Sequence, residues 1–341
     1  NFMKKNYILI IPSIFLLFSC VTSTSNREPS WVTDINSEYP ENRFLAVLGQ
    51  GDSISSAQKK AAANLSMIFE TTISVDSQLT TKYTTLENEG VITSTSGSST
   101  MSDNINQKSN QTLFNIKYGE TWTNETGIVT VVAYLDRRET ASIYSQKINS
   151  QNTDIKRLEA TGDKAESILV KYAYYDSAFV LAMNNKTLIE QLGIISTPSA
   201  SALLLDYNVD SLKTSRAEVL KQISFNILTS KTSPEYLKPL LESSLTDMGF
   251  TTSETAPLKA ESSLNYSKIE RNNEYSNYKW NLDISISDID NNTLIAFSDS
   301  GTSVSTSDSA AISKVKTDVS KKLKKEITKQ FNEYFLSFLG K

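Results

Sequence analysis

The sequence of 341 residues contains no histidine. That excludes Ser-His-Asp and Cys-His nucleophilic machinery and every metal site that needs an imidazole. It contains one cysteine, which excludes an intrachain disulfide, a four-cysteine zinc site and an iron–sulfur cluster. A basic excess is missing too. Lys and Arg number 34 against 38 Asp and Glu, a formal charge of −4, so no nucleic-acid footprint is expected. What remains is 39% apolar and 21% charged, enough to bury a core. The length suggests two domains of ~100–200 residues each. Ser and Thr supply about a quarter of the chain, which suits exposed β-structure and solvated loops.

The one long apolar run lies near the N-terminus. Lys4 and Lys5 precede Ile8 to Phe18, interrupted only by Pro12 and Ser13. The run is about half the ~20 residues that span a bilayer, and it fits the apolar region of a secretory signal. Asn1 and Phe2 precede Met3, read as the start. The run ends in Leu17-Phe18-Ser19-Cys20, which resembles the lipobox of bacterial lipoproteins. The resemblance implies a diacylglyceryl thioether on Cys20, cleavage before it and acylation of the new amino group. Several acyl chains, at ~0.8 kcal/mol per buried methylene, would anchor the chain stably. Loss of residues 1–19 removes Lys4 and Lys5 and leaves the mature chain more acidic. Val21 stands where some bacteria place an Asp for inner-membrane retention, which favours the outer membrane. Residues 20–30 form a lipidated polar tether.

Residues 31–137 read as a first α+β domain. Phe44 to Leu48 is a strand, Gly49-Gln50-Gly51 a turn, and Ala57, Ala61, Leu65 and Ile68 recur at helical spacing. A Gly-x-Gly before a helix can cradle a phosphate. Here Ile54 occupies the place of the third glycine of a dinucleotide fingerprint, and no P-loop Lys follows. Tight helix packing is the better account of both glycines. Thr71 to Thr85 is dense in Thr, Val, Ile and Tyr and reads as β. Gly90 to Thr112 is low in complexity and reads as a hairpin tip or loop. Asn124 to Gly127 is a turn before an apolar strand, Ile128 to Leu135.

Pro29-Ser30-Trp31-Val32, Tyr39-Pro40, Leu48-Gly49-Gln50-Gly51 and the Ala-rich helix from Ala57 together resemble the twenty-kilodalton lipoprotein family of bacterial outer membranes. The same module resembles the N-terminal part of FlgT, a flagellar basal-body ring protein. The resemblance implies a non-enzymatic envelope domain with structural or assembly roles.

Residues 138–195 read as a helical hairpin. Tyr144, Ile148, Gln151, Ile155 and Leu158, then Ile168, Tyr172, Tyr175, Phe179 and Ala182, step by four and three, with a break near Gly162. Tyr172 and Tyr175 are expected in the helix seam. If the hairpin projects, its outer face is a candidate partner surface.

Residues 200–341 read as a second α+β domain. Ile223, Phe225 and Ile227 alternate as a strand. A helix is expected from Pro234 to Gly249, with strands at Leu264–Ile269, Lys279–Ile289 and Thr293–Ser298. Gly301 is expected in a turn that echoes Gly51. The last helix, 308–339, carries an apolar face from Ile312 to Phe338 and Lys321, Lys322, Lys324 and Lys325 around it. Packing on its own domain is the leading account of that face, and contact with an anionic membrane the rival.

The chemistry-bearing residues do not assemble a catalytic motif. Asp283, Asp288 and Asp290 cluster, as do Glu87 and Glu89. Asp288 to Asn292 lacks the Gly and Glu of a calcium loop and reads as a hairpin turn. Ser313-Lys314 and Ser320-Lys321 lack the motifs that support a Ser-Lys dyad. The expectation is two α+β domains with sheets covered by helices, joined by a hairpin, and a signal peptide over 1–19. The protein is expected to be a non-enzymatic lipoprotein of the outer membrane, at its periplasmic face or at the cell surface. Membrane contact runs through lipid on Cys20, and other envelope proteins are the expected partners. No catalytic, cofactor-binding or metal residue is expected. The rival functions are a module that binds glycan, peptidoglycan or lipid in a pocket lined by Trp31, Trp122 or Trp280, and a surface antigen.

Overall fold

The computed structural model describes residues 27–70, 73, 77–88, 90–91, 113–271 and 274–339. Within them the chain is mixed α and β, with two open sheets, as the composition and periodicity imply.

The first sheet has the order β1-β3-β2, all antiparallel. Its strands are β1 (Phe44–Gly51), β2 (Lys117–Thr123) and β3 (Val129–Asp136). β3 is central and apolar on both faces, so five of its first five residues are buried. Helix α2 (Ile54–Glu70) covers one face through Ala57, Ala61, Leu65 and Phe69. The segment before β1 covers the other. It holds a short helix α1 (Ser30–Thr33) with Trp31 fully buried, and Tyr39, whose ring meets Phe44 and Tyr134. The β2–β3 turn is built as expected. Gly127 takes a positive φ of 84°, and Asn124 Oδ1 accepts from the amides of Thr126 and Ile128.

The stretch after α2 departs from expectation. Ser77–Asn88 is a helix, α3, not a strand. Leu79, Tyr83 and Leu86 stand four and three apart and pack into the core beside the long helices. Tertiary burial of that face overrides the strand propensity of Thr and Tyr. The Ser/Thr-rich stretch from residue 92 to 112 lies outside the described residues.

Asp136 ends β3 and caps α4 (Arg137–Lys164), accepting from the amides of Arg138 and Glu139. Helix α5 (Ile168–Ile195) returns beside it. The first half of α4 and the last half of α5 join the first sheet's core through Tyr144, Ile148, Leu188 and Leu192. The other halves join the second core through Ile155, Leu158, Tyr172 and Leu181. The hairpin does not project. α3 and α7 (Val209–Gln222) lie against α5, and fifteen residues of α5 are buried. A short helix α6 (Thr197–Ser201) follows α5.

The second sheet has the order β5-β4-β6-β7-β8. β4 (Ser224–Thr229) runs parallel to β5 (Thr251–Thr252) and β6 (Leu258–Ile269). β6, β7 (Ser276–Ser287) and β8 (Thr293–Ser305) form an antiparallel meander. Helix α8 (Leu237–Thr246) lies between β4 and β5 and starts three residues after Pro234. Gly301 is a correction. It lies within β8 opposite Trp280, whose indole fills the space a side chain would need. The turn before the last helix is at 306–307 instead.

Helix α9 (Asp308–Leu339) covers the sheet. Its buried residues are Ala311, Val315, Val319, Leu323, Ile327, Phe331, Phe335 and Leu339, each four after the last. At 3.6 residues per turn a strict step of four rotates the stripe by ~40° each time. The buried face therefore winds around the helix. It meets β7 and β8 and also α5 and α8. That apolar face is occupied by the protein's own core and is not free to enter a membrane.

Candidate functional site

Cys20 lies outside the described residues, and the folded body begins about ten residues after it. Among the described residues, no helix is long and apolar enough to cross a membrane.

The residues singled out for chemistry are dispersed by the fold. Gly49 and Gly51 are in β1 rather than a turn. A methyl group on Gly49 would fall on the backbone of Ala57 and Ala61, so this glycine lets α2 approach and cradles no ligand. Asp283 projects from the open face of the second sheet, where both its oxygens accept hydroxyls, from Ser298 at 2.6 Å and Ser263 at 3.3 Å. Asp288 closes the β7–β8 hairpin by accepting from the amides of Asp290 and Asn292. The Asn292 side chain, which donates to its other oxygen at 2.9 Å, together with those amides holds its carboxyl below the ordinary value. Asn291 has a positive φ of 61° at the same turn. Glu87 is paired with Lys147, and Glu89 lies outside the described residues. Among the described residues no three His, Cys, Asp or Glu converge as metal ligands.

The tryptophans line no common pocket. Trp31 and Trp280 are buried in separate layers and Trp122 lies in β2. Their indole nitrogens are buried without a hydrogen-bond partner. Tyr175 is buried in the helix seam against Gly162, whereas Tyr172 is buried against Phe250 and Phe335 of the second core instead. Burial raises the Tyr172 hydroxyl, and the Asp176 charge adds to that. Tyr175 is pushed up to about 12 by burial and by its hydrogen bond to Asp163. Both stay neutral, as structural phenols do.

Two surface features remain. One is an open cleft of about 810 Å³ where α4 begins and α5 ends, lined by Asn42, Arg138, Ser142 and Ser199 among others. Arg137 at its floor is already committed, donating to the carbonyls of Glu41, Ile194 and Ile195. The other is the outer edge of the second sheet. Lys322 of α9 pairs with Asp299 of β8 at 3.4 Å, and Lys314 donates to the Val304 carbonyl at 3.2 Å. The sequence showed the lysines on α9 but not the strand edge beside them, because edge position is a property of strand order.

No curated protein matches the chain. Among solved structures, the secreted protein HP1454 from the human pathogen Helicobacter pylori aligns over 82% of this chain and 97% of its own, at 13% identity and a TM-score of 0.43. The family comparison falls on the first sheet and its helix, where Trp31, Tyr39, Gly49 and Gly51 are all engaged in packing. Residues 29–136 match the LPP20 lipoprotein family.

Proposed function

We propose that the protein is a lipid-anchored component of the bacterial outer membrane with a non-enzymatic, structural or adaptor role. Cys20 carries the lipid and the folded body presents docking surfaces to other envelope proteins. The match of residues 29–136 to a lipoprotein family is the observation that carries this reading. The cysteine after an apolar run with Lys4 and Lys5 before it agrees with it.

The mechanism is positional. From Cys20 to Ser30 an extended tether reaches ~35 Å at most. The body is thus held near the membrane while its surfaces search for partners at high local concentration. A role in ring or cell-wall assembly is the finer form of this reading and rests on the FlgT likeness.

The test is metabolic labelling with an alkyne fatty acid, followed by fractionation of the envelope, for wild type and Cys20→Ala. Label and outer-membrane retention in wild type, both lost in the variant, are expected. Retention of the unlabelled variant in the same fraction would overturn anchoring through Cys20.

A further inference from the structure

Among the described residues β8 pairs with β7 alone, which leaves the other edge of a 13-residue strand without a partner strand. An antiparallel ladder turns alternate residues' amides and carbonyls toward and away from the neighbour. Two hydrogen bonds identify the outward set. The Ser300 amide donates to Asp299 Oδ1 at 2.8 Å, and the Val304 carbonyl accepts from Lys314. Both groups are taken by side chains and both residues have the same parity. Ser298 and Thr302 therefore also turn outward.

Natural edges resist pairing by carrying lysine or proline. β8 has neither, and its only charge is Asp299. The lysines stand beside it instead, on α9. Lys314 and Lys322 reach β8. Lys325, three residues beyond Lys322, is exposed and has no ion-pair partner among the described residues. The result is an edge with no partner strand, bordered by Lys314, Lys322 and Lys325 against Asp318, which accepts from Ser303, and Asp299, a border that is net basic on a chain that is acidic overall.

We propose that this edge docks an extended acidic segment of a partner protein by strand addition. The backbone of Ser298, Ser300 and Thr302 supplies the ladder, and the α9 lysines select the sign of the partner. Asp299 displays the chemistry already, since its carboxylate rests on an edge amide and on Lys322. A partner carboxylate would take that place. A second copy fits less well, because antiparallel pairing of two β8 edges about a two-fold axis brings two lysine borders together. The proposal rests on the docking role above and names its surface.

The test is fluorescence anisotropy of the full-length lipidated protein in detergent with a labelled peptide of alternating valine and glutamate. Control peptides carry lysine for glutamate, or the β8 sequence. The glutamate peptide is expected to bind and to slow amide exchange at Thr302 and Ser298. Thr302→Pro, which removes an outward amide and spares the β7 ladder, is expected to weaken binding by about tenfold or more, as is the exposed pair Lys322→Glu with Lys325→Glu. If the proline variant does not fold, the lysine pair decides. Tighter binding of the β8 peptide would replace the acidic partner with a second copy. No binding, or unchanged binding in folded variants, ends the proposal. Either failure leaves retention through Cys20 untouched, so the two readings fall separately.

Discussion

Arg216 of α7 donates through Nε to the carboxylate of Asp176 on α5, at 2.5 Å. The second oxygen of that carboxylate takes Lys82 of α3 at 2.9 Å. One half-buried anion thus ties two helices to the central one. Burial opposes its ionisation, but the two cations outweigh burial and hold the carboxyl below the ordinary value.

Removing that charge leaves two cations facing each other in a half-buried layer. Asp176→Asn is expected to cost about 1–3 kcal/mol, less than the loss of a fully buried pair, because the side chains of Lys82 and Arg216 keep 40% and 27% of their surface exposed. The pH dependence has a definite sign. A depressed folded pKa means the stabilisation is complete above the unfolded value of ~3.9 and is lost as pH falls toward the folded one. Urea unfolding from pH 6 down to pH 3 should show a steeper loss in wild type than in Asp176→Asn. Parallel curves would remove Asp176 as the source.

The glycines give a matched pair. At Gly49 a methyl group meets the backbone of α2, which cannot rotate aside as a side chain can. Gly49→Ala is expected to destabilise by about 2–4 kcal/mol through overpacking. Gly193 lies inside α5 with nothing within 4 Å of a built methyl group. Gly193→Ala should stabilise by ~0.5–1 kcal/mol, because alanine loses less entropy in a helix. Melting temperatures of the two variants should move in opposite directions, and a shift of the same sign would contradict the packing account.

Much of this was legible in the sequence where periodicity and burial agree. The α9 stripe from Val315 to Phe335 and the alternation of Phe225 and Ile227 point to the faces that are buried, though at the ends of that stripe Ala311 and Leu339 are buried where the spacing predicts Ile312 and Phe338. The reading failed where local propensity and tertiary packing disagree. The threonines of α3 favour a strand in isolation, yet Tyr83 and Leu86 are buried against α4 and α5. Gly301 suggests a turn by composition, yet it is a strand position emptied to admit Trp280. The basic border of β8 was half legible. The lysines are in the sequence, but their meeting with a free edge depends on β8 lying last in the sheet.

Calcium offers a sharp test of the Asp288 hairpin. Its carboxylate is engaged with the amides of Asp290 and Asn292 and with the Asn292 side chain. An Asx-type turn so closed needs no cation. Millimolar calcium is expected to leave the melting temperature unchanged and to give no titration heat. A calcium-dependent rise abolished by Asp288→Asn would restore the calcium loop.

Phe331 shows what the winding of α9 accomplishes. It is fully buried and its ring meets Phe225 of β4, Phe250 before β5 and Phe335 one turn on, with centroids at 5.8, 5.0 and 5.7 Å. Tyr172 of α5 closes the group against Phe335 and Phe250. Phe331→Ala is expected to cost about 3–5 kcal/mol from lost burial and the cavity left behind. Lys321→Ala, ten residues earlier and exposed, should stay within ~0.5 kcal/mol of wild type. Chemical denaturation of the two variants separates a helix that carries the core from one merely laid upon it. A loss below ~1 kcal/mol at Phe331 would mean the rings repack without it, and α9 would then be a peripheral cover rather than the element that joins sheet and hairpin.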